Sequence, residues 1–200
     1  LSAEILDNSM AEAVAGHASR IEFHLEAADR LVIRDNGRGI PIDPHPKFPD
    51  KSALEVIMST LHAGGKFSGK AYETSGGLHG VGASVVNALS SEMIVEVARD
   101  KQLFRQSFAK GKTITKLETV GAAPNRRGTS ISFTPDTEIF GASMRFKPAL
   151  LFRMARSKAY LFAGVEIRWK CAPELLGADS DIPAETTICY PGGLGDYLSD

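Results

Sequence analysis

Apolar positions change period several times along the chain. Leu6, Met10, Ala13 and Val14 recur at i, i+4, i+7 and i+8, which predicts an amphipathic helix ended by Gly16. Ile21, Phe23 and Leu25 then alternate with Glu22, His24 and Glu26, the period of a half-buried strand. Ala28-Asp29 turns into a second strand, Leu31-Val32-Ile33, which runs into Asp35-Asn36-Gly37. A loop rich in proline follows, with Pro41, Pro44, Pro46 and Pro49. Ser52 and Glu55 stand at capping-box spacing and open a helix carrying Leu54, Ile57, Met58 and Leu61.

From Ala63 to Gly82 the chain holds seven glycines and is too polar to be a packed element. Helical pattern returns from Ala83 to Leu89. Strand patterns follow at about 92–99, 102–109, 113–120 and 129–134, with turns at Asp100 and Lys110-Gly111-Lys112. A helix is expected over 145–162, a strand near 165–170 and helical pattern again at Tyr197-Leu198-Ser199-Asp200. Strands joined by hairpins, with helices grouped rather than alternating, predict an α+β domain with a mostly antiparallel sheet. Neither repeats nor a linker divide it, so residues 1–200 read as one domain. The chain opens on Leu1-Ser2-Ala3 rather than Met and is already in helical pattern, so a fragment of something larger is expected.

Composition narrows the classes. Hydrophobic residues make up 43% and charged residues 24%, the balance of an ordinary folded domain, which excludes disorder and disulfide-stapled miniature folds. The formal net charge is −1, without the basic excess of a surface that grips DNA. Cys171 and Cys189 form no C-x-x-C pair and argue against a structural zinc site. No apolar run is long enough to span a membrane.

Three features could carry chemistry. Gly76-Gly77-Leu78-His79-Gly80-Val81-Gly82 stands directly before a helix, where converging backbone N–H groups make an anion site, most simply for phosphates. A flexible linker is the plain alternative. Asp35-x-Gly37-x-Gly39 ends a strand, so its carboxylate could accept from an exocyclic amine such as adenine N6; an ordinary Asx-turn fits equally. Glu4 and Asn8 share one helix face, a carboxylate for general-base work and an amide oxygen fit for Mg2+, unless both are merely solvated. Two common phosphate motifs are absent. Gly111-Lys112-Thr113 lacks the glycine at position 106 that a P-loop needs, and G-x-G-x-x-G does not occur.

Taken in order, these phrases resemble the ATPase domain of bacterial type IIA topoisomerases, in the GHKL (Bergerat-fold) superfamily. The likeness is carried by Asp7-Asn8-Ser9, Glu12 to His17, Asp35 to Pro41, Leu61 to Phe67 and Gly76 to Asn87. Phe133-Thr134-Pro135-Asp136 and Cys189 to Leu194 stand closer to the topoisomerase IV branch of that family than to the gyrase branch. The resemblance implies a sandwich of helices on one face of a mostly antiparallel mixed sheet, with a Gly-rich ATP lid over about 62–82. It also implies an N-terminal dimerisation arm before Leu1 and a transducer domain after Asp200.

The implied roles follow residue by residue. Glu4 is the general base for an in-line attack of water on the γ-phosphate, and Asn8 ligates Mg2+. Asp35 binds adenine with help from Thr129, and Arg38 lies near the base, paired with Glu12. Gly39, Ile40 and Pro41 form the pocket rim. His62, Lys66 and Tyr72 belong to the lid, and Leu78, His79, Gly80, Val81 and Gly82 face the phosphates. Inhibitors of the coumarin type would meet Asp35, Arg38, Pro41, Arg105 and Thr129. Asn36, where the family often has Asp, implies a changed local charge at the same site. Implied partners are a second copy of the same protein, the DNA breakage-reunion subunit and DNA held by other domains, all in the cytoplasm. The isolated fragment is expected to bind ATP as a monomer and to turn it over poorly. A non-catalytic nucleotide-sensing module is the alternative from another class, and the presence of both Glu4 and Asn8 speaks against it.

Overall fold

In chain order the elements are α1 (Ser2–Val14), β1 (Arg20–Ala27), β2 (Arg30–Asp35), β3 (Pro44–His45), β4 (Phe48–Ser52), α2 (Ala53–Ser59), α3 (Gly82–Ala88), β5 (Ser90–Arg99), β6 (Gln102–Ala109), β7 (Lys112–Thr113), β8 (Glu118–Ala122), β9 (Gly128–Pro135), α4 (Thr137–Phe140), α5 (Pro148–Leu161), β10 (Glu166–Cys171), β11 (Glu185–Ile188) and α6 (Leu194–Ser199). The computed structural model describes residues 1–60 and 82–199. One sheet runs β11-β10-β1-β2-β9-β5-β6-β7, with β8 also paired to β6. Its pairings are antiparallel except β1 with β10, which is parallel. The expected mostly antiparallel mixed sheet is therefore observed.

Period-two alternation sorts the strands into two faces. Ile21, Phe23, Leu31, Ile33, Val95, Val97, Ile131, Phe133 and Trp169 are buried in one cluster with Ile5, Leu6, Met10, Leu54, Val86 and Leu151 from the helices. Phe23 stacks on Trp169 at 5.7 Å between ring centroids, and Phe152 meets the indole edge-on at 5.2 Å. The buried indole N–H donates to the Pro183 carbonyl at 2.8 Å, so this large core side chain hides no unpaired donor. The opposite face carries charge. Arg34 faces Glu22 at 3.7 Å, Arg30 reaches Glu26 at 3.5 Å and Glu92 at 3.1 Å, and Arg168 meets Glu166 at 3.2 Å.

Local signals account for most boundaries. Ser52 Oγ accepts from the Glu55 N–H at 3.1 Å and starts α2. Asp100 and Lys101 both take positive φ, the geometry of a two-residue hairpin turn, and join β5 to β6. Other stretches depart from expectation. The proline-rich loop contains a small ribbon, β3 with β4. The strand expected at 113–120 is two short strands, because the chain turns away after Thr113. Thr115 then satisfies β6 through its side chain, its Oγ accepting from the Ser107 N–H at 3.0 Å. The helix expected from 145 begins at Pro148, where a residue without an N–H fits the first turn. Neither α4 nor β11 was legible in the pattern. The P-loop-like Gly111-Lys112-Thr113 is the last residue of the β6–β7 turn followed by β7 itself.

Candidate active site

Asp35 closes β2 on the helix-covered face, in phase with Leu31 and Ile33, and is only 6% exposed. Three donors hold its carboxylate: Ser9 Oγ at 3.0 Å on Oδ2, and on Oδ1 the N–H of Gly37 at 2.9 Å and of Thr129 at 3.3 Å. Burial outweighs them and pushes the carboxyl up to about 6.

The loop after Asp35 is fixed at every residue. The Gly37 N–H goes to Asp35, and the Arg38 N–H to Glu12 Oε2 at 3.0 Å. The Gly39 carbonyl accepts from Arg99 Nη1 at 2.7 Å, and the Ile40 N–H donates to Thr129 Oγ at 3.0 Å. Glycine at 37 is a matter of space: a Cβ there would lie 2.7 Å from Glu12 Oε2 and 3.0 Å from Asp35 Oδ1. At Gly128, whose φ is +117°, a Cβ would run into the carbonyl oxygen of Asp35. Thus β9 can pass close enough for Thr129 to reach both Asp35 and Ile40.

Glu12 is not a solvated acid. Arg38 grips it with Nη2 at 2.7 Å and Nε at 3.2 Å. Burial alone would raise its carboxyl, but the Arg38 hydrogen bonds and charge reverse that and hold it below the ordinary value. Asp7, by contrast, turns away to Lys158 at 2.7 Å.

Glu4 and Asn8 lie exposed on α1, one turn apart. The Glu4 carboxylate reaches the first residue of α3: a Cβ on Gly82 would stand 2.5 Å from its Oε2. For Mg2+ the residues present fit. An exposed amide oxygen with a carboxylate one turn away suits an ion that keeps most of its shell for water and substrate phosphates. Of the remaining site residues, His62, Lys66, Tyr72, Leu78, His79, Gly80 and Val81 lie outside the described residues, as does the lid except Gly82.

Two of the residues singled out in the sequence do not touch the Asp35 carboxylate. Arg105 is not grouped with Asp35. It lies opposite Glu96 in the β5–β6 register, pairs with it at 2.7 Å, and takes the uncovered side of the sheet, while Asp35 points to the covered one. A ligand on Asp35 would have to extend past the rim to meet it. Arg99 and Arg127 do touch the loop, at the carbonyls of Gly39 and Asn36. The Asn36 side chain is also directed away from Asp35. Its side chain turns to the α1–β1 connection, accepting from the N–H groups of Ser19 at 2.9 Å and Arg20 at 3.0 Å and donating to Ser19 Oγ at 2.9 Å. Sequence reasoning also missed Ser9. Its one signal was position: next to Asn8, but turned inward with Leu6 and Met10 rather than outward.

Comparison with known proteins identifies the family. A family model described as histidine kinase-, DNA gyrase B-, and HSP90-like ATPase matches residues 1–139. Over 200 residues the chain is 58% identical to the B subunit of DNA topoisomerase 4 from Caulobacter vibrioides, covering all of this chain and 28% of that protein. The corresponding protein of Bartonella bacilliformis is 56% identical over 199 residues, and the chain spans 29% of it. The crystal structure of the 43K ATPase domain of Thermus thermophilus gyrase B in complex with an aminocoumarin superposes with a TM-score of 0.81. Its sequence identity is 38%, over 98% of this chain and 47% of that one. The chain thus spans under a third of the length of the two topoisomerase relatives. With matched residues running from α1 through β9, where Glu4, Asn8, Asp35 and Thr129 stand, the chain belongs to the histidine kinase-, DNA gyrase B- and HSP90-like ATPases.

Proposed function

We propose that this chain binds and hydrolyses ATP as the ATPase domain of a type IIA topoisomerase of the topoisomerase IV kind, powering DNA strand passage, relaxation and decatenation. The observation that carries the reading is Asp35, a nearly buried carboxylate at the end of β2 beside a loop pinned at four successive residues. Such an acid suits the exocyclic amine of adenine, and the flat glycine loop leaves room for the ring. Arg38, held by Glu12, sits at the rim with Gly39, Ile40 and Pro41. The exposed face of α1 supplies Glu4 as the base that takes the proton from the attacking water. Asn8 would hold Mg2+, which supplies charge neutralisation at the phosphates when bound. His62, Lys66, Tyr72 and the run Leu78, His79, Gly80, Val81 and Gly82 complete the phosphate side.

Identity of 56–58% to the topoisomerase 4 relatives, against 38% to the gyrase B domain, supports the topoisomerase IV branch. The partners that go with it are a second copy of the same protein, the breakage-reunion subunit and DNA, in the bacterial cytoplasm. Among the described residues, no helix is long and apolar enough to cross a membrane. The aminocoumarin bound to the gyrase B relative supports competitive inhibition of the same kind here, with Asp35 and Thr129 in the contact.

The test is a thermal shift with Mg2+ and a non-hydrolysable ATP analogue. At 100-fold over Kd the ligand adds about 2.7 kcal/mol, roughly 5–10 °C at this size. Asp35→Asn should abolish the shift, and a shift that survives removes adenine from Asp35. In the full-length protein, Glu4→Ala should bind the analogue and lose ATP hydrolysis; normal turnover there would take the base role from Glu4.

A further inference from the structure

Strand β2 borders a second cavity on its other side. About 570 Å³ in volume, it opens on the uncovered face, walled by residues 16–20 before β1, by β2 near its end and by residues 125–127 before β9. Arg20, Arg34, Arg126 and Arg127 line it, with Glu22 as the acid that shares their face. Asp35 borders the cavity too, but its carboxylate is turned to the covered face and held there by Ser9, Gly37 and Thr129. Asn36 also borders it, as an amide without charge.

These arginines are poorly neutralised. Arg34 comes no closer than 3.7 Å to Glu22, and its buried Nε–H has no hydrogen-bond partner among the described residues. Arg127 donates to the carbonyls of Asn36 and His17, which orients the guanidinium without cancelling its charge. Arg126 must share Glu96 with Arg105, at 3.4 Å against 2.7 Å. Arg20 makes no ion pair or side-chain hydrogen bond among the described residues. Five arginines therefore stand with two glutamates in a chain whose overall charge is −1. A planar guanidinium with unused N–H groups matches the oxygens of a phosphate in pairs.

We propose that this cavity is a phosphate-group site, separate from the Asp35 pocket and on the opposite face of the sheet. The same chemistry serves the backbone of a nucleic acid or a small free phosphate, and the experiment distinguishes them.

Binding of a fluorescent 20-base-pair DNA duplex to the full chain would be followed by anisotropy at low salt, with inorganic pyrophosphate as competitor, and pyrophosphate alone by calorimetry. Arg20→Gln with Arg34→Gln should weaken binding about tenfold or more and flatten its salt dependence. Glu22→Gln should tighten it severalfold by removing the competing carboxylate, a gain that misfolding cannot imitate. A duplex bound and displaced by pyrophosphate, with both variant effects, assigns the site to a nucleic-acid backbone. Pyrophosphate bound with the same variant effects, and no duplex, assigns it to a small phosphate. Binding of neither probe, or binding that ignores both Arg20→Gln/Arg34→Gln and Glu22→Gln, overturns the proposal.

Discussion

The covered and uncovered faces of the large sheet treat charge in opposite ways, and β2 displays both in neighbouring residues. Arg34 points outward into a lattice of arginines and glutamates, each about a third or more exposed. Such pairs contribute little individually, because water screens them and long side chains must be ordered to form them. Asp35 points inward, where hydrogen bonds are few and each one counts. The covered face repeats the contrast within itself. Asp35 meets neutral donors and burial prevails, raising its carboxyl to about 6. Glu12 meets a guanidinium, and its carboxyl falls below the ordinary value although it too is partly buried. One step along a strand decides which face a charge meets, and the presence of one cation decides the sign of what burial does.

The contrast can be broken most severely at the core. Trp169→Ala removes the side chain that joins β1, β10 and α5, and should cost about 3–5 kcal/mol, near 10 °C in Tm by thermal unfolding. Asp35→Asn comes next and should split function from stability. Its amide oxygen can keep the two backbone N–H groups while Ser9 turns to accept, so the fold survives. The amide NH2 would then oppose an incoming amine, and nucleotide affinity should drop about 100-fold by calorimetry.

The same variant tests the pH signs. Folded Asp35 keeps its proton to about 6, whereas the ordinary value is 3.8, so its stability contribution falls as pH rises across that window and stays low above it. Asp35→Asn should therefore be more stable than the parent at pH 8 by about 1–2 kcal/mol, with no gain at pH 3. Glu12 has the reverse sign. Its contribution is present above its ordinary value of 4.5 and is lost as pH falls through the lower folded one. Glu12→Gln should cost about 1–2 kcal/mol at pH 7, measured by urea unfolding, and less in acid. Smallest of all, Glu26→Gln on the uncovered face should change stability by under about 0.5 kcal/mol.

How much could be read beforehand also divides by face. α1, β1 and β2 were legible because their apolar periods are clean and Gly16 marks the first stop. Asp35 and Thr129 could be paired through the family likeness, and Glu12 with Arg38 likewise. What could not be read was anything requiring strand order. Arg105 is a strand residue like any other until β6 is known to follow β5 across from β2. Only then does the buried alternation of Gln106 and Phe108 show that Arg105 looks away from Asp35. The ribbon of β3 and β4 was hidden by its prolines, and β11 by having only four residues. The hydrogen bonds of Asn36 to Ser19 and Arg20 were equally hidden, because they depend on where the α1–β1 connection runs.

The parallel pairing of β1 with β10 sets a timetable for the polypeptide leaving the ribosome. Residues 20–25 emerge early, yet the strand that flanks them on one side is 166–171. At ordinary rates of synthesis the gap is roughly 10–30 s. Throughout it one edge of β1 stays open, a row of unanswered N–H and C=O groups available to any passing strand. Glu22 and His24 alternate with apolar residues along that strand, and polar side chains of this kind beside an open edge disfavour its pairing with other chains.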